Sequence, residues 1–173
     1  MKIYTKNGDL GRSDLIGGFT THKADHRFQT MGDLDELNAW LGMVKLGVDK
    51  DEAAFITQIQ GDIVTMMAHV AALGGKQAGK HTFSGGLEAE MEKRIDKLSE
   101  HFTGNSFDFP GANETSAKAH VARTVCRRAE RTLVVTGWDY PISHESLVYI
   151  NRLSDYLYAL AVSEANKEKN NEE

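Results

Sequence analysis

Cysteine is almost missing: Cys126 stands alone in 173 residues, so no intramolecular disulfide can brace the fold, and a reducing compartment is expected. Proline is nearly as scarce. Pro110 and Pro141 are the only two, and each lies just upstream of a long segment whose apolar residues recur at three-and-four spacing. Long apolar runs are also lacking; none reaches transmembrane length, and none after the first residues resembles a signal-peptide core, so the chain reads as soluble and cytoplasmic. There is no cationic excess. The 20 Lys and Arg against 25 Asp and Glu leave a formal charge of -5, which argues against a dedicated binder of nucleic acid or of an anionic membrane. A phosphate ligand must then be held by a local cluster of cations. Finally, none of the 7 histidines has a glutamate three residues before it, which removes the Glu-x-x-His pairs of a ferritin-like di-iron bundle.

What is present is a helical pattern. With 40% hydrophobic residues the chain can build a core, and no Val- and Ile-rich alternating segment competes for a sheet. The expected fold is all-α: one domain over residues 1–173, with an irregular Gly-rich N-terminal loop at 1–25, a five-helix bundle at 26–167 and a polar tail at 168–173. The first helix spans 26–46 and buries Leu34, Leu37, Leu41 and Val44, with Gly32 and Gly42 suggesting a closely packed neighbour. The second begins at Asp49, in a capping-box-like arrangement with Glu52, buries Phe55, Ile59, Ile63, Met66 and Val70, and stops at Gly74 and Gly75. A more polar third helix is expected over 81–102, on the outside, with a narrow stripe of Leu87, Met91, Ile95 and Leu98. The fourth starts at the N-cap residue Asn113 and runs to Gly137; the fifth covers 143–167 through Leu147, Ile150, Leu153, Leu157 and Leu160.

Three features carry candidate chemistry. Residues 5–13 combine Gly8 and Gly11 with Thr5, Asn7, Asp9 and Ser13 and with the cations Lys6 and Arg12. Such a loop can turn several backbone N–H groups towards one group of oxyanions, although it lacks Walker A spacing. In the fourth helix Arg123, Arg127 and Arg131 follow at four-residue steps, with Ala122, Val125, Ala129 and Leu133 on an apolar face. Two readings stand: an exposed face salt-bridged to Glu130 and to acids of neighbouring helices, or a polyphosphate clamp suited to arginine's planar fork. The third feature pairs residues 32–38, which include Asp33, Asp35, Glu36 and Asn38, with residues 149–155, which include Asn151, Arg152 and Asp155. Polar groups here alternate with core Leu and Ile, so some must lie between helices, and Asp35 is a natural counter-ion for an arginine of the fourth helix. Cys126 reads as a packing residue. His22 and His26 have metal-ligand spacing but no completing carboxylate or cysteine set, so no metal ligand is singled out.

Taken together and in this order, these features resemble the PduO-type ATP:cob(I)alamin adenosyltransferases. The resemblance runs through Tyr4, Thr5, Lys6, Gly8, Asp9 and Gly11, then Gly32 with residues 35–38, then residues 122–131 and 149–155. It implies a homotrimeric five-helix bundle with ATP between adjacent subunits and the corrinoid in a neighbouring apolar cavity. On this likeness Thr5, Lys6, Asn7, Gly8, Asp9, Gly11, Arg12 and Ser13 wrap the triphosphate with Lys23, while Arg127, Glu130 and Asn151 complete the nucleotide site. Arg123 pairs with Asp35 at the subunit boundary, and Phe107 lies against the lower face of the corrin ring, where it keeps the dimethylbenzimidazole ligand off cobalt. The likeness also implies Mg²⁺ with the ATP, a flavin-type reductant that delivers cob(I)alamin, and an adenosylcobalamin-dependent client enzyme. Asn7 and Ser13 replace the family's usual threonines, and Ala112 replaces a glycine after Phe109, Pro110 and Gly111. A different class of function, a non-catalytic helical trimer that senses nucleotide or carries adenosylcobalamin, is distinguished by whether triphosphate is released.

Overall fold

The computed structural model describes residues 4, 6, 8–100, 102 and 109–169. Five helices follow a short hairpin: β1 (Arg12–Leu15), β2 (Phe19–His22), α1 (His26–Lys45), α2 (Lys50–Ala72), α3 (Glu88–Ser99), α4 (Glu114–Thr136) and α5 (His144–Lys169). α4 packs against both α1 and α5, α2 lies on α1, and α3 lies on α5. The stripes expected to be apolar form one core: Leu34, Leu37, Leu41 and Val44 from α1 meet Ile59, Ile63 and Met66 from α2 and Ile150, Leu153 and Leu157 from α5. α3 contributes only Met91 as a fully buried residue, which suits its position on the outside.

Helix starts follow local chemistry. The Asp49 carboxylate accepts from the N–H groups of Asp51 and Glu52, and the Asn113 side chain accepts from the Ser116 N–H, so each satisfies donors left open by the first turn. Glu52 does not close a capping box. Its carboxylate turns inward, where the Tyr156 hydroxyl donates to it at 2.6 Å and Arg94 pairs with it. Pairing satisfies a carboxylate that is 9% exposed, and it ties α2 to α3 and α5.

Two boundaries depart from expectation. α3 begins at Glu88, because Gly85 and Gly86 take φ of 68° and 136° and so break the backbone ahead of it, while the Glu88 carboxylate accepts from the Gly86 N–H at 2.7 Å. The segment expected to be an irregular loop contains an antiparallel hairpin, with Arg12 opposite His22 and Leu15 opposite Phe19. Gly17 and Gly18 turn it at φ of 102° and 78°, conformations open to glycine at little cost. Gly42 approaches Gln60 of α2, whereas no described residue comes within 4 Å of a Cβ placed on Gly32, so the expected close neighbour is not found there among the described residues. Among the described residues no helix is long and apolar enough to cross a membrane.

Candidate functional site

The Gly-rich half of the site is built on the hairpin. The Asp9 N–H donates to the Lys6 carbonyl and the Gly11 N–H to the Gly8 carbonyl, two successive turns that lead into β1. Lys6 itself has φ of 63°. The Lys23 N–H returns to the Gly11 carbonyl at 2.9 Å, and the Lys23 ammonium lies so close to Gly8 that a Cβ on that glycine would sit 2.8 Å from Nζ. The loop glycines and Lys23 are thus brought together, as expected. Arg12 is exposed and donates to the Thr20 carbonyl across the hairpin, and Ser13 pairs with Thr21. Thr5 and Asn7 lie outside the described residues.

The second half lies on α4 and α5. Arg123 and Arg127 line a cleft of about 340 Å³ with Ile95, Phe102, Ser154, Asp155 and Tyr158. Arg127 is exposed, and the Nε of Arg123 is buried without a hydrogen-bond partner among the described residues. Among the described residues no ion pair within the chain involves Arg123, Arg127 or Arg131, so the described contacts lend no support to the salt-bridged reading of this face. The arginine that α1 neutralises is Arg128, which pairs with Asp33 at 3.2 Å and with Glu36. Asp35, expected as a counter-ion for α4, is exposed and makes no ion pair within the chain among the described residues. One turn beyond Arg127, Asn151 donates to the Glu130 carboxylate at 3.1 Å, which fixes the amide beside the arginine stripe.

The helices separate functional polar residues from structural ones. Cys126 is buried and donates to the Ile150 carbonyl; burial pushes its thiol far up, so it packs and does not act as a nucleophile. Arg152 pairs with Glu92 and Asp155 and joins α3 to α5. His26 contacts Asp139 at 3.0 Å, and among the described residues no three His, Cys, Asp or Glu side chains converge as a metal site would need. Phe107, the residue expected beneath the corrin ring, lies outside the described residues.

Two features escape the sequence pattern. One is that, among the described residues, no hydrogen bond or ion pair joins residues 6–23 to Arg123, Arg127, Glu130 or Asn151. The other is a buried hub at the root of the hairpin. Arg27, 3% exposed, donates through Nε and Nη2 to the two oxygens of Asp25 at 2.9 and 2.7 Å and through Nη1 to the Leu73 carbonyl at 2.5 Å. That guanidinium holds the Asp25 carboxyl at about 2, well below its ordinary value. A signal did exist: a cation in the first turn of a helix opposes the helix dipole and calls for a paired partner.

Comparison with known proteins agrees with this geometry. The family model for cobalamin adenosyltransferase matches residues 3–164. The corrinoid adenosyltransferase PduO of Citrobacter freundii is 36% identical over 95% of this chain, and the chain spans about half that relative's length, at 50%. A cobalamin adenosyltransferase of Cupriavidus metallidurans is 34% identical over 92% of this chain and 86% of its own. Among solved structures, a variant PduO-type ATP:corrinoid adenosyltransferase from Lactobacillus reuteri, complexed with cobalamin and ATP, superposes with a TM-score of 0.87 at 31% identity, covering 97% of this chain and 96% of that one. A family model that covers almost the whole chain, relatives above 30% identity and a shared fold together show that this chain belongs to the cobalamin adenosyltransferase family.

Proposed function

We propose that this chain transfers the 5'-deoxyadenosyl group of ATP to the cobalt of cob(I)alamin, forming adenosylcobalamin and releasing triphosphate. The observation that carries this reading is the pair Arg123 and Arg127, which face a cleft and make no ion pair among the described residues, the Asp155 carboxylate in that cleft being paired with Arg152. Guanidiniums left unpaired beside a fixed amide suit a polyanionic ligand. The Lactobacillus reuteri relative, complexed with cobalamin and ATP, supports both substrates.

The chemistry asks little of a protein acid or base. Cobalt(I) supplies the electron pair for the new cobalt–carbon bond at the ribose C5', the C5'–O bond breaks in line, and triphosphate leaves with that bond's electrons. The protein supplies geometry and charge neutralisation. Thr5, Lys6, Asn7, Gly8, Asp9, Gly11, Arg12, Ser13 and Lys23 enclose the triphosphate, Arg127 neutralises charge on it as it leaves, and Asn151, held by Glu130, orients the nucleoside. Arg123, Asp35 and Phe107 shape the corrinoid side, Phe107 by excluding the lower axial ligand so that a four-coordinate cobalt(II) is easier to reduce. Among the described residues no three His, Cys, Asp or Glu side chains converge on a cation, and Mg²⁺ would be held by the triphosphate oxygens, where it would neutralise charge when bound.

The functional unit is a homotrimer with sites between subunits, in a reducing cytoplasm, fed by a flavin-type reductant and serving an adenosylcobalamin-dependent client. Three things among the described residues support the trimer: no hydrogen bond or ion pair joins loop to arginine stripe, Asp35 makes no ion pair, and nothing lies within 4 Å of a Cβ placed on Gly32, one turn away on α1. The test is an anaerobic spectrophotometric assay. Cob(I)alamin, ATP and Mg²⁺ should yield adenosylcobalamin and one triphosphate per turnover; nucleotide binding without triphosphate release would replace this reading with a carrier or sensor.

A further inference from the structure

Two strands of four residues cannot hold a fixed pose alone, yet Lys23 and Gly8 need one if they are to bind triphosphate. The described contacts show where that pose comes from. The Arg27 guanidinium stacks over the Phe19 ring of β2 at 4.8 Å and over the Tyr140 ring, between α4 and α5, at 4.1 Å. Its remaining edge is spent on Asp25 and on the Leu73 carbonyl at the end of α2. Asp25 in turn accepts from the Tyr140 hydroxyl at 3.3 Å and from Thr21 of β2 at 3.4 Å. Gly74 and Gly75 allow this approach: a Cβ on Gly75 would lie 3.1 Å from the Ile16 carbonyl and from the Phe19 ring, and one on Gly74 would lie 3.1 Å from the Tyr140 ring. A buried cation thus links the hairpin to the bundle beside the close approach of Gly75 to Ile16 and Phe19, and Lys23 follows β2 two residues before Asp25.

We infer that Arg27 is a positioning residue for the nucleotide: stacked between Phe19 and Tyr140 and forked onto Asp25, it sets the pose of the hairpin and so of Lys23 and Gly8 against the triphosphate. This rests on the adenosyltransferase reading. Arginine is required because only a planar, five-donor group can stack on two rings and bond in its own plane to a carboxylate and a carbonyl. Lysine at this position keeps the charge and loses both.

The experiment measures KM for ATP, KM for cob(I)alamin, kcat and melting temperature in Phe19→Leu, Phe19→Tyr and Arg27→Lys. Phe19→Leu removes one stacking partner at the half-buried hairpin end and leaves the bundle intact. It should raise KM for ATP about tenfold, since displacements near 1 Å are costly, with KM for cob(I)alamin and the melting temperature near wild type. Phe19→Tyr, which keeps the ring, should restore the wild-type value. Arg27→Lys should raise KM for ATP at least as much and also melt earlier. If both Phe19→Leu and Arg27→Lys keep the wild-type KM for ATP, with or without lost stability, Arg27 is a stability residue only and the inference falls. A wild-type protein that shows no ATP-dependent turnover overturns the adenosyltransferase reading itself, and the inference with it, before any variant is compared.

Discussion

A guanidinium without an anion is a statement about what is missing from the free chain. Arg127 is exposed on α4 beside the Asn151–Glu130 pair and makes no ion pair within the chain among the described residues, so removing it should cost the fold little and the ligand much. Arg127→Ala should keep its melting temperature and lose about 100-fold or more in kcat/KM for ATP, the usual scale for deleting one group that stabilises a leaving anion. Full activity in the anaerobic assay would remove Arg127 from the site. Asp25 shows the opposite balance, since its carboxylate serves structure. Its ordinary value of 3.8 is lowered to about 2 in the fold, chiefly by the Arg27 hydrogen bonds. The unfolded chain therefore takes up the proton first, so the contribution is complete above about pH 4 and fades as pH falls towards 2. For a side chain 12% exposed this shift corresponds to about 2 kcal/mol. Urea midpoints of wild type and Asp25→Asn should differ most at neutral pH and converge near pH 2; a gap independent of pH would show that the charge of Asp25 is not what stabilises the hub.

At the level of elements, α4 carries the arginine stripe and its register depends on how it starts. The Asn113 Oδ1 caps the Ser116 N–H at 2.8 Å, and its Nδ2 donates to the Glu164 carbonyl of α5, also at 2.8 Å. One side chain thus starts α4 and pins it to α5. Asn113→Ala should destabilise by about 2 kcal/mol, the upper end for a lost N-cap because a second hydrogen bond goes with it. Asn113→Asp, which keeps the capping oxygen and loses the donor, should recover roughly half of that; equal losses in thermal denaturation would mean the cap itself contributes nothing. Helix starts of this kind are readable in advance because a capping side chain bonds to its own neighbours in sequence. The inward turn of Glu52 is not, since Tyr156 lies 104 positions away.

For the molecule as a whole, the division of the site matters most. With no described hydrogen bond or ion pair joining loop to arginine stripe, an intersubunit site should allow complementation. Lys23→Ala and Arg127→Ala proteins, each inactive alone, should regain activity when co-refolded, because some interfaces then join an intact loop to an intact stripe. Random assortment would restore about a quarter of wild-type sites. No recovery, in a mixture shown by mass to contain hybrids, would place both halves of the site within one subunit.

What the sequence determined by itself was whatever depends on near neighbours. The burial of Leu34, Leu37, Leu41 and Val44 follows from helical spacing, the caps at Asp49 and Asn113 from local hydrogen bonds, and the packing role of Cys126 from the lack of a histidine partner placed by the sequence. Spacing also put Arg123 and Arg127 on one face, but it left open whether acids would cover them. The tertiary structure gives Asp33 and Glu36 to Arg128 and, among the described residues, no ion pair to the stripe. Only it showed a hairpin where glycines suggested a loop, and an Arg27 hub that gathers Phe19, Leu73 and Tyr140. The physical reason is common to all three: ion pairing and ring stacking act over a few ångströms of space, and residues far apart in sequence are brought that close only when the helices pack.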